Sequence, residues 1–128
     1  MAICGLGLDL VQVDRIEAML TRRGNRARDR LFTAGEQAYC ERKKRASTSY
    51  AGRFAVKEAV MKLLGTGWTQ GVRWVDIEVV RPPGRAPTVS LHGATARIAA
   101  EKGIQRIHVT ITHDAGLAAA VAVAECDA

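Results

Sequence analysis

Aromatic side chains are scarce in this chain: Phe, Tyr and Trp together make up 5% of its 128 residues. A core with few large rings must be filled by Ala, Val, Ile and Leu. A small domain packed with such short side chains is expected to gain stability by oligomerising. No apolar run approaches the ~20 residues needed to cross a bilayer, and the first residues lack the basic start and cleavage pattern of a secretory leader. A cytoplasmic protein with no membrane contact is therefore expected. Cys4, Cys40 and Cys126 are far apart, odd in number and in no metal-binding spacing, which predicts a reducing compartment and no chemical role for them. His92, His108 and His113 show no ligand-like spacing either. Internal repeats and low-complexity linkers are missing, so residues 1–128 are expected to form one domain.

What the chain does have is positive charge. A formal net charge of +6, with a pI near 9.7, points to polyanionic partners. Nucleic acid, phosphorylated small molecules and strongly acidic proteins all qualify, and charge alone does not choose among them.

The opening "AICGLGLDLV" alternates with period two. Cys4, Leu6, Leu8 and Leu10 fall on one face, and Gly5, Gly7 and Asp9 on the other. This predicts a strand whose apolar side enters the core. Asp14 followed by Glu17 reads as a capping box, opening a helix near Arg15 that ends before Gly24. "TAGE", with Thr33 as N-cap and Glu36 three residues on, starts a second helix running toward the basic "ERKKRAS". A third begins near Ser47 or Ser49 and stops at Gly65. "VDIEVVR" (75–81) and "TVSL" (88–91) read as strands around the turn "RPPGRAP", and "GATARIAAEKG" (93–103) as a helix. "RIHVTITH" (106–113) and "LAAAVAVAE" read as a closing strand pair, with Ile107, Val109, Ile111 and His113 on one face of the first. The expected order is β-α-α-α-β-β-α-β-β: an α+β fold with a mainly antiparallel sheet packed with helices.

Several residues could carry chemistry. Gly5 and Gly7 clear the face that holds Asp9, allowing a ligand or another backbone to approach closely. "GLG" does not extend to GxGxxG, which excludes a dinucleotide fingerprint. In "GRFAVKEAVMKLLGTG" (52–67), Glu58 and Lys62 stand four apart, the spacing of an ordinary surface ion pair. Beside them Ala51, Ala55 and Ala59 make a small-residue stripe, and Arg53 and Lys57 add positive charge along the helix. An acid and a lysine next to a bare surface suit a metal-bound phosphate, and Asp9 with Glu58 would suffice for the one or two carboxylates that Mg²⁺ takes from a protein. Arg15, Met19, Arg22 and Arg26 recur at spacings of four, three and four. They form either a solvated basic face or a dock for an acidic helix with the methionine as its apolar anchor. "ERKKRAS" could be a solvated helix end, a nucleic-acid patch or a phosphate clamp.

"GLGLDLVQVDRI", "FTAGE", "GRFAVKEAVMKLLGTG" and "THDAGLAAAVA", in that order over nearly the whole chain, closely resemble the holo-acyl carrier protein synthases, the short class of 4′-phosphopantetheinyl transferases. The resemblance implies transfer of the 4′-phosphopantetheine arm of coenzyme A to a serine of apo-acyl carrier protein. The products would be holo-carrier protein and adenosine 3′,5′-bisphosphate, in support of fatty acid or polyketide biosynthesis. It implies Asp9 and Glu58 as Mg²⁺ ligands and Lys62 as the lysine near the phosphates. Arg15, Met19 and Arg22 would grip the acidic carrier, and Arg53, His113 and Gly65 would lie near coenzyme A. It also implies a homotrimer with active sites between subunits. The base that takes the serine proton stays open between Asp9, Glu58 and a metal-bound water. Thr112 precedes His113 where many relatives have serine, and "RRGNRARDR" fits the family pattern poorly.

Two other functions compete. A nucleic-acid-binding module would explain the pI, but stacking aromatics on a sheet, an RNP-like motif and zinc ligands are missing. A catalytically silent carrier-binding protein would have no need of Asp9, Glu58 and Lys62 together.

Overall fold

The structure, a computed structural model, describes residues 1–127. Strand β1 (Ala2–Gln12) leads into four consecutive helices, α1 (Val13–Arg23), α2 (Asn25–Leu31), α3 (Ala34–Glu41) and α4 (Ala46–Leu64). A 3₁₀ turn (Trp74–Asp76), strands β2 (Ile77–Val80) and β3 (Thr88–Leu91), helix α5 (Gly93–Glu101), and strands β4 (Ile104–Asp114) and β5 (Leu117–Cys126) follow. The α+β class and the antiparallel pairing match the sequence reading, but the strands divide into two sheets, β1-β5-β4 and the hairpin β2-β3.

Helix α2 is one more than the sequence pattern predicts. Only Ala27 and Leu31 of its seven residues are buried, too few to register as a helical period. Gly24, at φ 63°, separates it from α1 and breaks the basic stripe, so Arg26 belongs to a different helix from Arg15, Met19 and Arg22. The expected Asp14–Glu17 capping box does not form either. Helix α1 starts at Val13 with Gln12 as N-cap and no side-chain cap bond. The Thr33–Glu36 box does form: Glu36 N–H donates to Thr33 Oγ1 at 3.1 Å and Thr33 N–H to Glu36 Oε1 at 2.8 Å. Helix α4 begins one residue before the first candidate serine and ends at Gly65, whose φ of 75° permits its N–H to reach Met61 O.

Helix α4 lies across β1 and β5, and the contact inverts the expected orientation of β1. A Cβ built on Gly7 would sit 1.8 Å from the carbonyl oxygen of Ala59, and one on Gly5 3.2 Å from Leu63 Cγ. Gly7 therefore makes room for the backbone of α4 and Gly5 for the Leu63 side chain, not for a ligand. The stripe Ala51, Ala55 and Ala59 is fully buried, as are Ala118, Ala120, Ala122 and Ala124 of β5. These alanines form the chain's own core and offer no open surface to a substrate. The leucine face points outward: Ile3, Leu6, Leu8 and Leu10 are 62–67% exposed. Leu6 stands opposite Val123 and Leu8 opposite Val121, so one face of the sheet is an uncovered apolar surface. The strand pattern is right; the buried side is the other one.

Lys57, read as surface charge, is completely buried. Its ammonium donates to Glu36 Oε1 (2.8 Å), Trp74 O (2.9 Å) and Ile77 O (2.7 Å), while Glu36 Oε2 accepts from Val79 N–H at 2.9 Å. Every polar group in this knot is paired, which is the condition for burying charge. It ties α3, α4 and β2 together, and loss of either partner would cost about 3–5 kcal/mol.

The cysteine reading is corrected as well. Cys4 and Cys126 are joined in a disulfide between β1 and β5, beside the register shift at Ile3/Gly5; Cys40 is buried and free. Two cysteines 122 residues apart in sequence give no spacing signal. Only the antiparallel pairing of the first and last strands brings them together.

Candidate functional site

Asp9, Glu58 and Lys62 come together where the C-terminal half of α4 crosses β1. Lys62 does not bridge to Glu58 one turn away. Its Nζ reaches the strand, donating to Asp9 Oδ1 and to Leu8 O, each at 3.0 Å. Asp9 is 13% exposed in its side chain, whereas Lys62 remains 55% exposed and open to an incoming anion. Glu58 is half-buried. Burial raises its pKa, the Asp9 carboxylate raises it further, and Lys62 only partly opposes them. Two carboxylates from separate elements thus act on one another, with one ammonium bonded to Asp9 and a net excess of acid.

Such a donor set fits a hard divalent cation. The candidate ligands are carboxylate oxygens of two side chains, and no group of three or more His, Cys, Asp or Glu side chains gathers among the described residues. The remaining coordination positions would fall to water or to an anionic ligand, the pattern of Mg²⁺ rather than of zinc or of a calcium cage.

Glu58 also lines a cleft of about 780 Å³ between α1, α2 and α4. Its apolar walls come from Met19, Phe54, Trp68 and Trp74, and its rim from Arg23, Arg26 and Arg30. Phe54 and Trp74 stack with centroids 5.0 Å apart, and Trp68, 72% exposed, tilts against Trp74 at 6.3 Å. Arg15 and Arg22 lie exposed on α1, outside the cleft lining, while Met19 is half-buried within it. Arg28 turns away to Glu41 at 3.7 Å. The sequence reading missed Phe54, Trp68 and Trp74. Phe54 stands four residues before Glu58, on the same face of the helix, and that spacing was a usable signal.

Arg53 and His113 are not part of this cluster. Arg53 precedes Glu58 by five residues, roughly 140° around the helix. It lines a second cleft, of about 880 Å³, with Arg42, Lys43, Lys44, Arg45, Arg81 and the exposed His113. "ERKKRAS" thus forms a wall of this cleft. Arg53 is only 4% exposed; its guanidinium lies 3.9 Å from the centroid of the Tyr39 ring and donates to Ser49 Oγ at 3.2 Å. Burial pushes the Tyr39 phenol up, but hydrogen bonding and charge from Lys43 and Arg53 outweigh it and leave the phenol below its ordinary value. Gly65 lines neither cleft, and its N–H is taken up by the carbonyls of Met61 and Lys62. His92 and His108 pair with Glu78 and Glu125.

Residues 5–122 match the 4′-phosphopantetheinyl transferase superfamily. The chain is 47% identical over 123 residues to the holo-[acyl-carrier-protein] synthase of Solibacter usitatus (strain Ellin6076), covering 96% of this chain and 98% of the relative. It is 50% identical over 127 residues to that of Methylobacterium sp. (strain 4-46), covering 96% and 94%. The crystal structure of the Helicobacter pylori enzyme in complex with coenzyme A superposes with a TM-score of 0.82 at 33% identity, covering 94% of this chain and 99% of the other. No helix of the described residues is long and apolar enough to cross a membrane.

Proposed function

The chain belongs to the 4′-phosphopantetheinyl transferase superfamily, and from that premise we propose that it moves the 4′-phosphopantetheine group of coenzyme A onto a serine of apo-acyl carrier protein. Adenosine 3′,5′-bisphosphate is the second product, and the modified carrier serves fatty acid or polyketide synthesis. The observation that carries the reading is the convergence of Asp9, Glu58 and Lys62 from two elements at the edge of an open cleft.

In the reaction the serine oxygen forms a new bond to the phosphorus that bears the pantetheine arm. The bridging P–O bond of the pyrophosphate breaks, the bisphosphate departs, and the serine proton passes to a base. Phosphoryl transfer asks the protein for positioning and charge neutralisation more than for covalent help. Asp9 and Glu58 would hold Mg²⁺, which supplies charge neutralisation at the pyrophosphate when bound. Lys62, whose side chain is more than half exposed, would turn from Asp9 toward a phosphate oxygen and offset charge on the leaving group. Arg15 and Arg22, with Met19 between them, would hold the acidic carrier, joined by the arginines at the rim of the aromatic cleft.

Arg53 and His113 fit the nucleotide end of coenzyme A, yet they stand in a different cleft from the carboxylates. A homotrimer accounts for both facts: the basic cleft of one copy would complete the acidic cluster of its neighbour. The uncovered Leu6, Leu8 and Leu10 face supports such packing. The decisive test is intact-mass spectrometry of an apo-carrier protein incubated with this chain, coenzyme A and Mg²⁺. A gain of one phosphopantetheine is expected only when all three are present; an unchanged carrier would overturn the reading.

A further inference from the structure

The basic cleft contains a feature that a merely cationic surface would not have. Arg53 is almost completely buried, yet its Nε has no hydrogen-bond partner. Leaving a buried guanidinium N–H unpaired is costly, and the arrangement makes sense when a ligand supplies the missing acceptor. Arg53 borders the cleft in which such an acceptor would lie, although Nε itself is shielded and would meet it only with a shift of the side chain. The cleft lining holds no carboxylate that could serve instead.

The orientation of Arg53 has two identifiable causes. Ser49, one turn earlier on α4, accepts from its Nη1 at 3.2 Å. The guanidinium carbon lies over the ring of Tyr39, on α3, 3.9 Å from its centroid. Lys43 approaches the same ring to 4.6 Å and Arg42 to 5.9 Å. One aromatic ring thus gathers two cations of the basic tract and Arg53 of α4, and the planar guanidinium is the one best suited to stack there.

We propose that Tyr39 is a positioning residue for the donor substrate: its ring holds the Arg53 guanidinium at the wall of the basic cleft, preorganised to receive a phosphoryl group of the nucleotide half of coenzyme A. The proposal rests on the transferase reading and adds to it a residue, on another helix, that touches no reacting atom. Preorganisation lowers the ordering cost of binding, so the effect belongs in the affinity for coenzyme A rather than in the chemical step.

Steady-state kinetics with varied coenzyme A and saturating carrier test it, alongside calorimetric binding of adenosine 3′,5′-bisphosphate. Tyr39→Leu should raise KM for coenzyme A about tenfold, with a much smaller change in kcat, and weaken bisphosphate binding in parallel. Tyr39→Phe, which keeps the ring, should restore KM to within about threefold of the parent. Arg53→Ala should raise KM at least as much as Tyr39→Leu, and the double variant should be no worse than Arg53→Ala alone. If Arg53→Ala leaves KM unchanged, the cleft does not hold the nucleotide and the placement of coenzyme A falls. If Arg53→Ala raises KM but Tyr39→Leu does not, the placement stands and the role of Tyr39 is overturned. A tenfold rise in Tyr39→Phe would also overturn it, whatever the fate of the leucine variant, because the phenol and not the ring would then be the contact.

Discussion

Lys62 Nζ lies 3.0 Å from Asp9 Oδ1, tying the last turns of α4 to the C-terminal half of β1. The same ammonium that steadies the carboxylate is the cation that would meet the substrate phosphate. Lys62→Ala should therefore lower kcat by about a hundredfold or more, while Asp9→Ala and Glu58→Ala should nearly abolish turnover. Circular dichroism should show all three variants folded. Wild-type rates in either carboxylate variant would remove it from the metal site.

Glu58 gives a prediction with a definite sign. Its carboxyl titrates above its ordinary value because of burial first and the Asp9 charge second. A group with a raised folded pKa contributes stability that is fully present below the unfolded pKa and is lost as pH rises through the folded pKa. The ionised Glu58 thus weakens the metal-free fold at neutral pH. Glu58→Gln should raise the metal-free melting temperature at pH 7, and the gain should vanish below about pH 4, where the parent is protonated too. Adding Mg²⁺ should raise the melting temperature of the parent more than that of the variant. Thermal scans across pH, with and without Mg²⁺, read both effects.

Gly7 is a packing requirement. A single methyl there would stand 1.8 Å from Ala59 O, a backbone atom that cannot swing aside. Gly7→Ala should destabilise by about 3 kcal/mol or more and push α4 away from β1. Because Asp9 and Glu58 sit on the two separated elements, activity should fall even at temperatures where the variant remains folded. Denaturant melts with parallel activity assays would show it.

The outward leucines predict an assembly. Leu8→Asp places a charge in the centre of the apolar face without touching the core, so the monomer should fold. Light scattering should find the parent trimeric and the variant monomeric, with turnover lost in the monomer if the site is shared between copies. An active monomer would refute the shared site.

Much of this architecture was legible in the sequence. The Thr33–Glu36 box, the Gly65 stop and the period-two strands follow from local chemistry, and the structure contains each of them. Asp9, Glu58 and Lys62 stand out through the family resemblance and not through local spacing: the glycines read as clearing a face for a ligand admit α4, and the alanine stripe beside the pair is buried. What stayed hidden depends on partners distant in sequence. Alternation shows that β1 has two faces but not which one is covered; that depends on how closely Ala59 approaches Gly7. Lys57 looks like any helical lysine until Glu36 and two carbonyls enclose it. Arg53 and Glu58 share a motif yet face different clefts, because five helical residues turn the chain to another side.

The bond between Cys4 and Cys126 makes the polypeptide a covalent ring with two short tails. A protease that nicked it once, at any loop between those residues, would leave its mass nearly unchanged and its two pieces linked until a reductant was added. In the chain-entropy picture, closing so large a ring removes roughly 4–5 kcal/mol of freedom from the unfolded state. The first and last strands are already neighbours, so new ends could be opened elsewhere in the ring and the old ones joined by a brief linker. The order in which the chain is written would then change while its closed circuit remained.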